Sequence, residues 1–232
     1  MNVAFVSGTS IVNSELFSNW ENGSIETAYG VIHYKKEGDR VLLNRHSLGR
    51  PRPPHMINHR ANIRALSDLG CVDVISLSSV GSLRPELLPG TLVSCADYIC
   101  LQQGPMTFFD DEMKGAAPGI DNNLVAMIAE KLAPEFRIET GKVYVQTRGP
   151  RFETKAEIRL LSQWGDVVGM TAAYEADLCR EIGLRYNSFA IVDNYANGIM
   201  NQEIDFSRFK DLVKENQWKV DRLFSRWLEI FH

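Results

Sequence analysis

The sequence lacks the features that mark several large protein classes. It contains no polybasic tract and has a net charge of −4, which argues against non-specific binding to nucleic acid, because that binding depends on Lys and Arg side chains that neutralise phosphates. No uncharged apolar run approaches the roughly 18 residues needed to span a bilayer, so we expect no membrane association. The first residues, MNVAFVSG, enter a predicted strand directly, and we expect no signal peptide.

Cysteine is also scarce. The four cysteines, Cys71, Cys95, Cys100 and Cys179, form no C-x-x-C pair, and no His stands at metal-ligand spacing from them, so we expect no metal site. Three of the four lie in apolar strand or helix contexts, where a free Cys behaves as a small hydrophobe. The expected compartment is the reducing cytoplasm.

The chain does have an ordinary globular composition, with 44% hydrophobic and 23% charged residues. Its 232 residues suit one large α/β domain that spans residues 1–232. Short apolar runs alternate with helical patterns, which indicates a largely parallel sheet with helices on both faces.

The boundaries of the predicted elements follow from apolar periodicity and from turn residues. Strands are predicted at 2–8, 30–36, 40–46, 72–79, 91–101, 142–149 and 166–170, and from 188 onward. Helices are predicted at 56–69, 122–133, 154–164, 174–183 and about 205–230. Residues 102–120 show no clear period and are predicted to form a long loop, which in a compact domain is usually functional or mobile.

Polar or small residues collect where several predicted strands end. The first strand ends in Ser7-Gly8-Thr9-Ser10, where small residues let backbone amides approach an anion. The segment is not a P-loop, because the trailing Gly-Lys-Ser/Thr is missing. A plain turn is the alternative and, for this segment alone, the better interpretation.

Two more strand ends carry possible donors to an anion. Arg45-His46 offers a forked guanidinium suited to phosphate or carboxylate oxygens, although a solvated strand end is the simpler interpretation. The segment Ser78-Ser79-Val80-Gly81-Ser82 is another hydroxyl-rich turn. Three donor clusters at strand ends indicate a shared oxyanion site more strongly than any one of them does.

Other strand ends suit a heteroaromatic ligand. In GPRFET (149–154), Phe152 could stack on a ring and Glu153 could accept hydrogen bonds from ring N–H groups. The alternative is a hydrophobic staple with a first-turn acid at a helix N-terminus. Gly169-Met170-Thr171 marks another strand that runs into a helix, and Asp193-Asn194 follows a buried apolar run. The last pair is either a turn or a site at the end of a parallel strand.

Several of these motifs occur together, in the same order, in one family. The stretch GPRFETKAEIRLLSQWGDVVGMTAAYEADLCREIGL and the following SFAIVDNYANG resemble trimeric purine nucleoside phosphorylases, and most closely their methylthioadenosine phosphorylase branch. The segments RPPHMINHRANIRAL and SSVGSLRPELLPGTLV resemble the same branch. The resemblance runs from the first strand to about residue 200 and implies a three-layer αβα fold with a central mixed, largely parallel, twisted sheet.

The resemblance also implies a reaction and a set of site residues. The expected reaction is phosphorolysis, in which inorganic phosphate is a co-substrate and neither a metal nor an organic cofactor is needed. The expected assembly is a homotrimer with sites near subunit interfaces, to which the pair Phe108-Phe109 could contribute. Transferred by position, the phosphate residues are Thr9, Arg45, His46, Ser78, the adjacent Ser79 and Thr171. The residues for the sugar and base are Met170, Phe152, Glu153, Asn194 and Ala196.

Asn194 is the position that bears on the choice of base. Methylthioadenosine phosphorylases have Asp there and usually a second Asp at the position of Ala196, whereas phosphorylases of 6-oxopurines have Asn, whose NH₂ can donate toward the 6-oxo oxygen and N7. The expected reaction is therefore phosphorolysis of S-methyl-5′-thioinosine to hypoxanthine and 5-methylthioribose 1-phosphate. The alternatives are a methylthioadenosine or general 6-oxopurine phosphorylase, a hydrolytic nucleosidase, and an inactive nucleoside-binding homologue.

The sequence departs from the branch pattern at several places. Asp193 replaces a usual Thr and would bring a negative charge near the site, and Tyr174 replaces a usual Pro before Glu175. The 5′ pocket is expected to draw on the loop after Gly198 and on the C-terminal segment. The residues expected there are Ile204, Phe206 and Phe209.

Overall fold

The structure is a computed structural model that describes residues 2–8, 11, 14–101, 106–201, 211 and 214–232. Its strands are β1 Val3–Ser7, β2 Glu21–Thr27, β3 Gly30–Glu37, β4 Arg40–Asn44, β5 Asp73–Ser82, β6 Leu92–Cys100, β7 Ile138–Gln146, β8 Val167–Gly169 and β9 Arg185–Tyr195. Its α-helices are α1 His59–Asp68, α2 Val125–Leu132, α3 Lys155–Leu161, α4 Ala172–Glu181 and α5 Gln217–Ile230.

The strands form one mixed sheet in the order β2-β3-β4-β1-β5-β8-β7-β6-β9. The pairs β1–β4, β1–β5, β5–β9, β6–β7 and β7–β8 are parallel, and the other described pairs are antiparallel. Because β9 pairs with both β6 and β5, the five strands from β5 to β9 close into a ring. This closure brings the ends of β5, β8 and β9 close together.

Helices cover both faces of the sheet, as the alternating pattern predicts. Side chains of β1 alternate between the faces: Val3 and Phe5 lie in one apolar cluster with α2 and α5, whereas Ala4 and Val6 lie in the other with α1 and α4. A strand buried on both faces has a continuous apolar run, which is why β1, with VAFV, is evident in the sequence. The three-layer αβα prediction is confirmed.

Several predicted boundaries are wrong, and one strand is not predicted. The segment Ser78–Ser82, predicted as a turn, is the end of strand β5. The edge strand β2 was not predicted, since ENGSIET is polar and its side chains are largely exposed. Strand β7 begins at Ile138, ahead of the predicted 142. Helix α1 begins at His59 and not at 56, because Pro54–Met56 form a 3₁₀ turn and the Asn58 side chain then caps the helix by accepting from the Ala61 amide.

The C-terminal helix is described from Gln217, whereas its predicted beginning falls partly at residues 202–210 and 212–213, outside the described residues. Its buried face packs on the sheet through Val220, Leu223, Phe224 and Trp227. Phe108 and Phe109 are half-buried within the chain, and the Phe108 ring lies 5.4 Å from that of Tyr29. No described helix combines the length and the apolar character that crossing a bilayer requires.

Candidate active site

A cavity of about 560 Å³ opens where β4, β5, β8 and β9 end. Open α/β sheets bind ligands at such strand ends. The predicted site residues that line it are Arg45, His46, Ser79, Phe152, Glu153, Met170, Thr171, Asn194 and Ala196. Ser78 is buried beside the cavity, with its Oγ 3.5 Å from Thr171 Oγ1. Thr9 lies outside the described residues, as do Ile204, Phe206 and Phe209.

Arg45 lines the cavity and forms an ion pair with Glu175. The Arg45 Nε lies 2.6 Å from Glu175 Oε1, and both side chains are almost fully buried. Burial alone would raise the pKa of Glu175, but the Arg45 charge and hydrogen bonds from Arg45 and Tyr186 outweigh it, so that pKa lies below its ordinary value. The pair is therefore ionised.

Most of the Arg45 donors are used within the protein. Nε and Nη2 donate to Glu175, Nη2 also donates to Ser76 Oγ, and Nη1 donates to the Leu77 carbonyl. A guanidinium has five N–H groups, so one hydrogen on Nη1 is left. A Cβ placed on Gly8 would lie 3.1 Å from this nitrogen, so Nη1 lies beside the cavity wall at Gly8.

His46, the next residue in the chain after Arg45, also lies beside Gly8. Its Nδ1 lies 2.8 Å from the Arg52 carbonyl oxygen, and a Cβ on Gly8 would lie 3.0 Å from its Nε2. Burial, together with the nearby Arg45 charge, lowers the pKa of His46 below its ordinary value, against the opposing effect of the Arg52 carbonyl. The ring is therefore neutral at neutral pH.

Gly8 is required by this close approach. The substitution Gly8→Ala places a methyl group against Arg45 Nη1 and the His46 ring. If both groups bind phosphate, the co-substrate that the family resemblance implies, we expect the KM for phosphate to rise about tenfold to a hundredfold through their misplacement. Initial rates at varied phosphate measure the effect. Gly49→Ala is the matched control, because its Cβ would meet only Ser47 Oγ, at 3.7 Å. An unchanged KM for phosphate in Gly8→Ala would contradict the prediction.

Thr171 precedes α4, but the first amides of that helix are already bonded. The Tyr144 hydroxyl oxygen accepts from the amides of Thr171 (3.0 Å) and Ala172 (3.4 Å), and Gln146 Oε1 accepts from Ala173 (3.1 Å). Thr171 can therefore contribute its side-chain hydroxyl to a ligand in the cavity, whereas the helix N-terminus does not offer free amides there.

The cavity is also lined by a carboxylate and an amide, those of Glu153 and Asn194. Glu153 is buried, and its Oε1 accepts a hydrogen bond of 2.7 Å from Thr147 Oγ1. The Asn194 amide donates to the Tyr195 carbonyl at 2.6 Å. A register shift between β5 and β9 pairs Val80 with Val192 but Gly81 with Asn194, so the extra residue of the bulge precedes Asn194. Bulges next to sites commonly redirect a side chain in this way.

The extra residue is Asp193, whose negative charge was expected near the site. Its carboxylate is buried and accepts from Ser79 Oγ and, at 2.9 Å, from the Asn216 amide just before α5. Burial raises the pKa of Asp193, and the two hydrogen bonds oppose this effect. Because the Ser79 hydroxyl donates its one hydrogen bond to Asp193, its oxygen can only accept a hydrogen bond from a ligand.

The sequence did not predict the buried residues that form hydrogen bonds with the site residues or with one another. These are Glu175, Ser76, Tyr186, Tyr144, Gln146 and Thr147. Only Glu175 gave a usable signal, because a charged residue in the apolar first turn AAYEA is costly unless it is paired. Among the described residues, no three His, Cys, Asp or Glu side chains are grouped so as to hold a metal ion.

Comparisons with known sequences identify the family of the chain. The sequence profile of the Phosphorylase superfamily matches residues 7–229. The chain belongs to this superfamily. A relative from Archaeoglobus fulgidus, named "Probable 6-oxopurine nucleoside phosphorylase", is 40% identical over 221 residues, which are 92% of this chain and 90% of that protein. A "Probable S-methyl-5′-thioinosine phosphorylase" from Methanocaldococcus jannaschii is 36% identical over 230 residues, covering 94% and 88%.

The phosphorylase fold is also evident from solved structures. The methylthioadenosine phosphorylase from Schistosoma mansoni, in complex with adenine, superposes with a TM-score of 0.87. The alignment covers 100% of this chain and 92% of that one at 22% identity, which establishes the shared fold alone.

Proposed function

We propose that the protein catalyses phosphorolysis of S-methyl-5′-thioinosine, yielding hypoxanthine and 5-methylthioribose 1-phosphate. The observation that carries the proposal is one cavity lined both by groups that suit phosphate and by groups that suit a purine base. In this proposal Arg45, His46 and Thr171 form the end for phosphate, whereas Glu153 and Asn194 form the end for the base. The sugar lies between them, against Met170, and Phe152 stacks near the base.

Glu153 supports the choice of a 6-oxopurine. Thr147 donates to one of its oxygens, which leaves the other to accept a hydrogen bond. A 6-oxopurine has an N1–H that can donate to this oxygen, whereas the N1 of a 6-aminopurine is itself an acceptor. Asn194 uses one N–H on Tyr195 and keeps the other for the 6-oxo oxygen or N7, and Ala196 provides no second carboxylate for an amino group.

The reaction follows from this placement. A phosphate oxygen forms a bond to the anomeric carbon while the bond from that carbon to purine N9 breaks, and the bonding electron pair goes to the purine, which is protonated at N7. This proton balances the one that hydrogen phosphate loses when it becomes the dianionic sugar phosphate. Such glycosyl transfers pass through an oxocarbenium-like state, which the negative phosphate stabilises. The protein contributes by holding phosphate in line and by bonding the base as its electron density grows.

The methylthio group is supported by the relatives named for methylthioinosine. The test is the initial rate of phosphorolysis of methylthioinosine, methylthioadenosine, inosine and adenosine, each with and without phosphate. We expect methylthioinosine to react fastest and only with phosphate. Faster turnover of methylthioadenosine would contradict the assigned base, and faster turnover of inosine would contradict the assigned 5′ group. Hydrolysis without phosphate would contradict the assigned reaction.

The proposal includes a homotrimer in the cytoplasm, with inorganic phosphate as co-substrate and no cofactor. The trimer is supported by the resemblance to trimeric phosphorylases. The cytoplasmic location is supported by the free cysteines, of which Cys71, Cys95 and Cys179 are buried.

A further inference from the structure

A backbone carbonyl determines which ring nitrogen of His46 donates a hydrogen bond and which accepts one. A carbonyl oxygen only accepts, so the 2.8 Å contact between Nδ1 and the Arg52 carbonyl assigns the proton to Nδ1. In a neutral imidazole the other nitrogen then carries a lone pair. The Nε2 atom of His46 is therefore a hydrogen-bond acceptor, and it lies at Gly8, beside Arg45 Nη1.

The surroundings of the ring keep it neutral. His46 shares its environment with the positive Arg45 and with His59, a buried histidine whose own pKa is lowered to about 4, chiefly by burial. Glu175, the carboxylate whose charge acts to raise the pKa of His46, is engaged by Arg45. Burial and the Arg45 charge both oppose an imidazolium at this position.

We propose that His46 binds the anion as an acceptor, and that the site consequently selects tetrahedral oxyanions that carry a proton over those that do not. This inference rests on the proposed phosphorolysis and concerns which anion its phosphate end accepts. Hydrogen phosphate has a P–OH group that can donate to Nε2 while its other oxygens accept from Arg45 Nη1 and Thr171. Sulfate has no proton at neutral pH and would place an oxygen lone pair against that of Nε2.

The expected discrimination is substantial, because a buried acceptor without a donor costs about 1–3 kcal/mol, which corresponds to about tenfold to a hundredfold in affinity. Isothermal titration of the full-length protein with phosphate and with sulfate, without nucleoside and at about pH 8, measures the ratio directly while His46 is neutral. We expect phosphate to bind more tightly than sulfate by that factor.

The substitution His46→Gln tests whether His46 causes the difference. A glutamine amide can turn either its N–H or its oxygen to the ligand, so the preference for phosphate over sulfate should fall by about tenfold. His55→Gln is the matched control, since His55 is an exposed residue of the same segment and should keep the wild-type ratio. If His46→Gln keeps the wild-type ratio, His46 does not set the choice of anion.

Acidification gives an independent test. As the pH falls from about 8 through the lowered pKa of His46, Nε2 gains a proton and becomes a donor, so sulfate should gain affinity relative to phosphate. Phosphate itself gains a proton in this range, so the gain should be larger in the wild-type protein than in His46→Gln, where only phosphate titrates. Equal binding of the two anions by the wild-type protein at about pH 8 would overturn the inference while leaving phosphorolysis intact. Absence of both phosphate binding and phosphate-dependent turnover would overturn the proposed function, and this inference with it.

Discussion

Replacement of Glu175 by Ala is expected to lower the free energy of unfolding by about 3–5 kcal/mol, because Arg45 would remain as a buried charge without its partner. Urea denaturation measures the change. Phosphate use should fall as well, since Glu175 is the group that orients the guanidinium. Glu175→Gln keeps the shape of the side chain and should show the loss of phosphate use with less loss of stability.

The double substitution Arg45→Met with Glu175→Met separates the two effects. An apolar pair of similar volume often restores stability, so this variant should unfold near the wild-type urea concentration yet fail to use phosphate. Because the pKa of Glu175 is lowered in the folded state, its contribution to stability is present above the ordinary pKa of glutamate and is lost as the pH falls through the lower folded value. An Ala variant as stable as the wild type would show that the ion pair is dispensable.

The second large effect is expected from Asn194→Asp. A carboxylate at this position cannot donate to a 6-oxo oxygen but can accept from a 6-amino group, so the ratio of kcat/KM for methylthioinosine to that for methylthioadenosine should fall about tenfold to a hundredfold. Steady-state kinetics with both nucleosides measure the ratio.

Asn22→Asp is the control for this exchange of an amide for an acid, since Asn22 is exposed on the edge strand β2 and does not line the cavity. It should leave the ratio unchanged. If Asn194→Asp also leaves the ratio unchanged, base choice is set elsewhere at the base end of the cavity.

The sequence predicts the architecture well wherever burial imposes a pattern. Strand β1 is buried on both faces and appears as a continuous apolar run, whereas Ser residues interrupt the apolar ones in β5. The polar residues at the end of β5 and just after β4 identify the cavity. The edge strand β2 could not be predicted in the same way, because its exposed side chains place little constraint on residue type.

The roles of individual hydrogen bonds are less accessible from the sequence than the site itself. The Ser79 hydroxyl donates a hydrogen bond to Asp193, and the carbonyl of Arg52 sets the tautomer of His46. The first contact joins residues 114 positions apart, and the second depends on how the segment after β4 turns back. Whether a residue donates or accepts is therefore decided by tertiary neighbours, which a pattern of residue types does not contain.

The ion pair between Arg45 and Glu175 has a further consequence for how an anion enters and leaves. Because the guanidinium charge of Arg45 is balanced by a buried carboxylate, Arg45 adds little net charge to the cavity. Its contribution to long-range attraction, which concentrates charged ligands at strongly charged clefts, is correspondingly small. Arg45 therefore acts on the anion through close fit and a directed hydrogen bond, and its charge does not hold back a doubly charged sugar phosphate that leaves after turnover.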